Sequence, residues 1–570
     1  MRARVAVLAL PALLFLALHG RALGYDFVWV DQAEIVAGTI LRPPGQILAS
    51  FAQPLQRAEG FATATLSQPY YRPLQVVTAS SLAATFGRSP RAFHAVSLAL
   101  GAATAALFAW LALLWLRDPA AAFVAAALFA VHPALLEIYV WVAGLSAALM
   151  GLFVVASLAC ALRALGAASP GSVARWSAAS FAALALGLLS KENAAVTPAL
   201  LFVLGAALAL RARAAGEPGL RIGALAGLVA GQLALVALYL FALRPAVLGR
   251  ALTGAAPIGG SLATQWQSSI ASWPSLFLWL FAPLHSNTSD AVRIATGWTD
   301  PATLGGLAIA IGSAVACVGL LARGHALAAA ALAWIWIAFL PTSGLTPLLH
   351  ARAERNLFLS VFGAALLAGI GFAALRRTRV PRALAFALAA FAILALAERT
   401  FARSPDWRST LALFSRDVAA DPHHREGRVN LVVALASAGR TAEAKQQVDI
   451  LAAQHPAEEG WHSYLLEPNL RELVCLVNAA AGADADTVRR YPPRALAWSE
   501  VWLEAGFHAC YAGALERLSR CEDALPIYVA LQRGSKGADA QRFAEGAARC
   551  KAADASRPPR SEAKPSEGRH

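Results

Sequence analysis

The chain has 570 residues, of which 58% are hydrophobic and only 14% charged, with a mean hydropathy of +0.55. A soluble globular domain is nearer half apolar and a quarter charged, so a purely soluble protein is excluded and a polytopic membrane protein with a soluble part attached is expected. The net charge of +14 does not read as a nucleic-acid signal, because no basic run is interleaved with base-stacking aromatics; it reads as loop arginine beside anionic membrane lipid.

Richness in Ala, Arg and Gly with few Lys points to a GC-rich bacterial genome. Met1 to Arg4 form a basic flank to the apolar run Val5 to Leu18, and Ala22-Leu-Gly24 resembles a signal-peptidase site. Because many spans follow, we read this segment as an uncut first helix. Further apolar runs of spanning length fall at 92–116, 119–136, 140–162, 175–189, 194–210, 222–243, 302–322, 326–346, 356–375 and 382–398, which makes about eleven spans. Between 244 and 300 the chain is more polar; Trp266 to Pro283 is apolar but interrupted by Ser and Pro, and is read as lying in the interface.

Arginine sets the direction. With the N-terminus in the cytoplasm, Arg2, Arg4, Arg117, Arg163, Arg175, Arg211, Arg213, Arg221, Arg323 and the cluster Arg376, Arg377, Arg379 and Arg382 all fall inside. The loops 24–91, 131–141, 190–193, 244–301 and 347–355 then face out, and with them the C-terminal part, which is periplasmic in a bacterial inner-membrane protein.

Those five outer places hold most of the polar peculiarities of the membrane region. Tyr25-Asp-Phe-Val-Trp-Val-Asp31-Gln-Ala-Glu34 carries three acids just after the first span. A carboxylate here can act as general base toward an acceptor hydroxyl; Asp31 is the leading candidate, with Glu34 beside it, and Asp26 is either a partner or an interfacial charge. Tyr70-Tyr-Arg72-Pro-Leu ends the first outer loop, where Arg72 can snorkel or grip a phosphate bidentately. In Val131-His-Pro-Ala-Leu-Leu-Glu137 a proline breaks the helix; His132 and Glu137 are a metal-ligand pair, an acid–base pair, or a structural turn. Ser190-Lys-Glu192-Asn is bracketed by membrane so tightly that its charges need partners, with Lys191 suited to a donor phosphate and Glu192 to orienting it. In His350-Ala-Arg352-Ala-Glu354-Arg355 two arginines flank a glutamate on the face where basic residues do not accumulate, and a lipid phosphate or diphosphate is their natural partner.

From about Arg399 the composition becomes soluble. Pro422 and Pro456 are 34 residues apart, the tetratricopeptide period, with Pro492 continuing the spacing approximately. A degenerate helical-repeat domain over 399–552 is expected, with Trp461, Trp498 and Trp502 as core aromatics, followed by a disordered tail at 553–570; a generic helical bundle is the plain alternative. Cys475, Cys510, Cys521 and Cys550 all lie in this part, an even number that fits disulfides in an oxidising compartment or four structural thiols, while Cys160 and Cys317 lie in apolar runs.

Taken in order, these motifs resemble a known family. An acid-bearing loop after the first span, Tyr-Arg-Pro-Leu, Val-His-Pro-x-x-x-Glu, Ser-Lys-Glu, a late Ala-Glu-Arg-x-Leu-x-Leu-Ser and a repeat region after Trp-Arg-x-x-x-x-Leu-Phe look like the transmembrane and tetratricopeptide-repeat O-mannosyltransferases and their bacterial relatives, of the GT-C class. The resemblance covers nearly the whole chain; each motif is short, and the specificity lies in their shared order. It implies an all-α protein: a GT-C-like membrane domain over 1–398 and a tetratricopeptide-like domain. It also implies transfer of a sugar, with inversion, from a polyprenyl-phosphate donor to a protein Ser/Thr hydroxyl or a glycan. The resemblance implies that Asp31 matches the catalytic acid; Glu34, three residues on, is taken with it as a catalytic candidate. Arg72, Lys191, Arg352 and Arg355 hold the donor phosphate, His132, Glu137, Glu192 and Glu354 support them, and the repeat domain receives the acceptor.

The chain departs from the family pattern in three places. Val30 replaces the first of two adjacent acids, Leu135 stands for a second His, and Gly144-Leu-Ser-Ala stands where the family has Gly-Arg-x-Asp. No metal ligand set is therefore assigned, and a divalent metal is left open as a requirement. The rival expectations are a lipid-linked glycan transporter, an oligosaccharide ligase or polymerase, and a membrane scaffold that presents a repeat domain without chemistry.

Overall fold

The structure is a computed structural model that describes residues 2–55, 70–216, 222–249, 256–284, 287–348, 350–465, 467–493 and 504–555. Trp498, Trp502 and the tail beyond 555 lie outside the described residues. The chain forms two compact units, Met1–His424 with Ala457–His462, and Arg425–Pro456 with Ser463–His570.

The first unit is built of helices in chain order: α1 (Arg2–His19), α2 (Pro73–Phe86), α3 (Pro90–Leu116), α4 (Pro119–Ala130), α5 (Leu136–Tyr139), α6 (Leu145–Leu165), α7 (Pro170–Ser190), α8 (Thr197–Ala214), α9 (Ile222–Leu238), α10 (Arg244–Leu248), α11 (Leu262–Phe281), α12 (Pro301–Ala322), α13 (Ala326–Phe339), α14 (Phe358–Leu375), α15 (Arg382–Arg403) and α16 (Thr410–Ala420). Proline opens five of the longer ones, where its missing N–H costs nothing. Asp118 caps α4 by accepting from the Ala120 and Ala121 N–H groups, each at 3.1 Å.

All eleven expected apolar segments are helical. Among the described residues nine helices are long and apolar enough to cross a membrane; the pair Pro119–Ala130 and Pro133–Tyr139, bent by 56°, makes a tenth if it counts as one span. The eleventh, Ala326–Thr342, is apolar but shorter. Helix α11, which covers the stretch read as interfacial, is not one of the nine: it buries Gln265, Ser268, Ser269 and Ser272, and its Gln265 and Ser269 side chains donate to the Gly344 carbonyl at 2.6 and 2.8 Å.

Close packing among the spans follows the membrane pattern of small residues and inward-facing polar groups. Gly101 of α3 and Gly151 of α6 leave room for the rings of Phe15 and Phe358. Ser157 of α6, Ser180 of α7 and Gln232 of α9 bond to one another at 2.9 to 3.3 Å, so three helices share one buried polar knot. A two-stranded antiparallel pairing of β1 (Val292–Arg293) and β2 (Trp461–His462) also belongs to the first unit. Trp461, expected in a helical-repeat core, therefore lies in a strand, stacked on His423 at 4.5 Å.

The second unit contains α17 (Arg425–Ser437), α18 (Thr441–Ala453), α19 (Glu467–Ala480), α20 (Asp484–Arg490), α21 (Ala505–Arg517), α22 (Cys521–Gly534) and α23 (Gly537–Ala555). Helices neighbouring in sequence pack on one another. Of the two arrangements that the cysteines left open, the structure has the bridged one: Cys475–Cys510 and Cys521–Cys550, at sequence separations of 35 and 29. Cross-links of that span remove about 3–4 kcal/mol of unfolded-chain entropy each. Non-reducing peptide mapping of the full chain should recover these two linked pairs, and reduction should lower the unfolding temperature of the second unit. A Cys475–Cys521 peptide would contradict the pairing.

Candidate active site

After α1 and the turn Gly20–Gly24 the chain runs extended and then turns at Val28–Asp31. Asp31 N–H donates to the Val28 carbonyl at 3.0 Å, and Val28 N–H returns a bond to Asp31 Oδ2 at 3.1 Å. Trp29 sits at the glycine-like corner of this turn with φ +54°, a rare conformation for a bulky side chain that persists only where surroundings enforce it. Here the enforcement is visible: Trp29 N–H donates to Thr410 Oγ1 at 3.0 Å, and the indole stacks on Trp141 at 4.8 Å.

Asp31 is fully buried, and its Oδ1 accepts from Ala143 N–H at 2.7 Å. Burial pushes its carboxyl up to about 7 against the pull of the N–H groups of Val28, Ala143 and Val142. Glu34, in a π-helical turn (Gln32–Val36), accepts from Gln75 Nε2 at 3.1 Å. It is pushed up to about 8, by burial first and the Asp31 charge second, with Arg72 pulling the other way. Asp26, by contrast, is exposed.

Arg72 stands at the start of α2, over the Tyr70 ring at 4.2 Å, and pairs with Glu192 at 2.9 Å. Arg355 pairs through Nη1 with the fully buried Glu137, whose other oxygen accepts Arg355 N–H at 2.7 Å; the same Nη1 donates to the Thr288 carbonyl at 3.2 Å. Among the described residues nothing accepts from Arg355 Nε or Nη2. Its guanidinium faces the rings of Trp29 and Trp141 at 5.7 and 5.9 Å. The Pro133 break explains how Glu137 arrives here: proline lacks the donor to continue α4, and the chain restarts at α5 with Glu137 in its first turn.

Lys191 feels the charges of both ion pairs. It is half-buried and lowered to about 7, by desolvation first and then by the charge of Arg72, with Arg355 adding to the effect and Glu192 and Glu137 opposing it. Among the described residues no carboxylate or hydrogen-bond acceptor takes its ammonium. Three cations thus face two carboxylates, and Lys191 is the uncompensated one.

Asp31, Glu34, Arg72, Glu137, Lys191, Glu192 and Arg355 therefore form one electrostatic neighbourhood, drawn from four of the five loops singled out in the sequence. Arg352 joins at one remove, pairing with Asp290 at 3.1 Å and donating to the Ala291 carbonyl at 3.0 Å. Two sequence candidates do different work. His132 has both ring nitrogens engaged, Nδ1 with Ala134 N–H at 3.2 Å and Nε2 with the Leu280 carbonyl at 3.0 Å, so it caps the break and has no lone pair to offer a metal. Glu354 turns away to a buried pair with Arg403. Among the described residues no three His, Cys, Asp or Glu side chains cluster as metal ligands.

Sequence reasoning missed Trp29 as a strained, stacked neighbour of the acid, along with Gln75 and Thr288. Trp29 was legible as a large aromatic two residues from Asp31; Thr288 contributes a backbone carbonyl, for which no sequence signal exists.

No family model matches the chain, and no curated protein matches it. Among solved structures, ArnT from Cupriavidus metallidurans bound to undecaprenyl phosphate is similar at 14% identity and TM-score 0.37, covering 86% of this chain and 79% of that one. Overlap at that level carries no functional inference, so function rests on the geometry of the site.

Removing one partner of a buried ion pair strands the other charge at a cost of about 3–5 kcal/mol. Glu137→Ala should therefore destabilise the detergent-solubilised protein by that order. Glu137→Leu combined with Arg355→Met should recover much of the loss. Additive single-variant effects in thermal unfolding would show that the two side chains do not interact.

Proposed function

We propose that the chain is an integral membrane glycosyltransferase of the GT-C class, taking a sugar from a polyprenyl-phosphate donor. The observation that carries this reading is Lys191, a cation with no acceptor of its own among the described residues, within electrostatic reach of two arginine–carboxylate pairs that share a neighbourhood with two buried acids. Such a surplus of positive charge suits one anionic group at the membrane edge, and a nearby carboxyl with raised affinity for a proton suits general-base work.

In the proposed reaction Asp31 accepts the proton of an acceptor hydroxyl as its oxygen attacks the anomeric carbon. The bond from that carbon to the phosphate oxygen breaks, the configuration inverts, and polyprenyl phosphate leaves with the electron pair. Lys191 and the Nε–Nη2 edge of Arg355 receive its charge, with Arg72 held alongside by Glu192. Glu34, within reach of the Asp31 charge, keeps a proton to a higher pH and tunes Asp31. Arg352 holds the loop that supports Arg355. The acceptor, a protein Ser/Thr or glycan hydroxyl on the non-cytoplasmic side, is proposed to approach by way of the second helical unit, read as tetratricopeptide-like; its two disulfides fit an oxidising, periplasmic setting.

A lipid-linked glycan transporter would need polar side chains available within the spans. The Ser157–Ser180–Gln232 knot lies there, with its hydroxyls engaged on one another and Gln232 Oε1 without a hydrogen-bond partner among the described residues.

The test is transfer by the purified full chain in nanodiscs from a panel of polyprenyl-phosphate sugars. Asp31→Asn should lower kcat by roughly 10²–10⁴, and full activity in that variant would dispose of the base assignment. Asp31 must be ionised, so kcat/KM should rise with pH toward about 7; Lys191 must be charged, so it should fall above about 7. Lys191→Arg, which keeps its charge, should abolish the alkaline limb alone. A profile flat on both sides of neutrality would contradict both roles.

A further inference from the structure

The loop Thr288–Ala291 is held along both edges within the first unit. On one edge Asp417 of α16 accepts from Thr288 N–H at 3.2 Å and from the Thr288 hydroxyl, His424 Nε2 meets Ser289 Oγ at 2.9 Å, and Asp421 accepts from Ala291 N–H at 2.8 Å. On the other edge the Thr288 carbonyl accepts from Arg355 at 3.2 Å, and Asp290 and the Ala291 carbonyl hold Arg352. All four consecutive residues are engaged, and Asp290 N–H also donates to the Arg352 carbonyl at 2.9 Å.

Besides its backbone N–H, which donates to Glu137, Arg355 makes hydrogen bonds through one guanidinium nitrogen. Nη1 is shared between Glu137 and the Thr288 carbonyl, which fixes the plane of the guanidinium and turns Nε and Nη2, the edge that grips a phosphate bidentately, away from both. The carbonyl is only as well placed as the residue that carries it, and Asp417 anchors Thr288 through its backbone N–H and its side-chain hydroxyl. Asp417 is buried, with Arg403 and Glu354 as the charged groups facing it.

We infer that Asp417 is a positioning residue for the donor phosphate: it fixes Thr288, the Thr288 carbonyl aims Arg355, and a helix beyond the last membrane span thereby sets donor affinity. This rests on the glycosyltransferase reading, and the experiment separates the two.

Donor KM and kcat are measured on the full chain in nanodiscs, together with Kd for bare polyprenyl phosphate, for Thr288→Val, Asp417→Asn, the double variant and Arg355→Ala. Thr288→Val is near-isosteric and keeps the fold in the event that Asp417→Asn does not. Each relay variant should raise donor KM and Kd roughly five- to tenfold, in line with a weakened charge-assisted hydrogen bond, and leave kcat at saturating donor within about twofold. The double variant should be no worse than the more affected single, because one chain of contacts is cut twice. Equal losses in kcat and kcat/KM, or unchanged KM and Kd in Thr288→Val while Arg355→Ala weakens binding, would overturn the relay and spare the phosphate reading. If Arg355→Ala also binds as the parent does, the phosphate grip falls and the relay falls with it.

Discussion

The buried pair of Glu137 and Arg355 is the constraint on which the rest of the site depends. A carboxylate with no exposure is tolerable only beside a cation that also satisfies its lone pairs, and here one arginine supplies both a side-chain and a backbone donor. That requirement brings the broken span at Pro133 against the head of α14. Lys191 feels the charges of this pair and, more strongly, those of Arg72 and Glu192, which pair with each other.

Asp31 is set up differently. Among the described residues no cation pairs with it directly; three backbone N–H groups stabilise its ionised form, and burial opposes them more strongly. The outcome is a carboxyl poised near neutrality, the condition under which a general base is most effective. The turn that delivers it contains a left-handed tryptophan, a local strain that no hairpin chemistry requires. Stacking on Trp141 and the bond from Trp29 N–H to Thr410 hold that strain in place, so the acid is located by residues far away in sequence.

A recurring feature is that residues beyond the last span take part in this arrangement. Thr410 holds the Trp29 turn, and Asp417, Asp421 and His424 hold the loop behind Arg352 and Arg355. Residues 399–424 lie in the first compact unit, although their soluble composition groups them with the helices of the second. Composition records contact with lipid or water; it does not record which buried carboxylate a helix end will meet.

By itself the sequence determined the helical, membrane-spanning character, the places where spans start and stop, and the short list of charged turns worth inspecting. Those are local properties: apolar run length, proline at helix starts, and the cost of a charge beside hydrocarbon. Only the tertiary structure decided which charges meet. Arg352 and Arg355 are three residues apart and looked equivalent, yet one pairs with Asp290 and the other with Glu137. Glu354 looked like part of the same cluster, and it points to Arg403 because the turn into α14 places it on the opposite side. Both disulfide partners and the Thr288 carbonyl are long-range matters of the same kind. Pairing energy depends on distance in space, which adjacent letters in a chain do not encode.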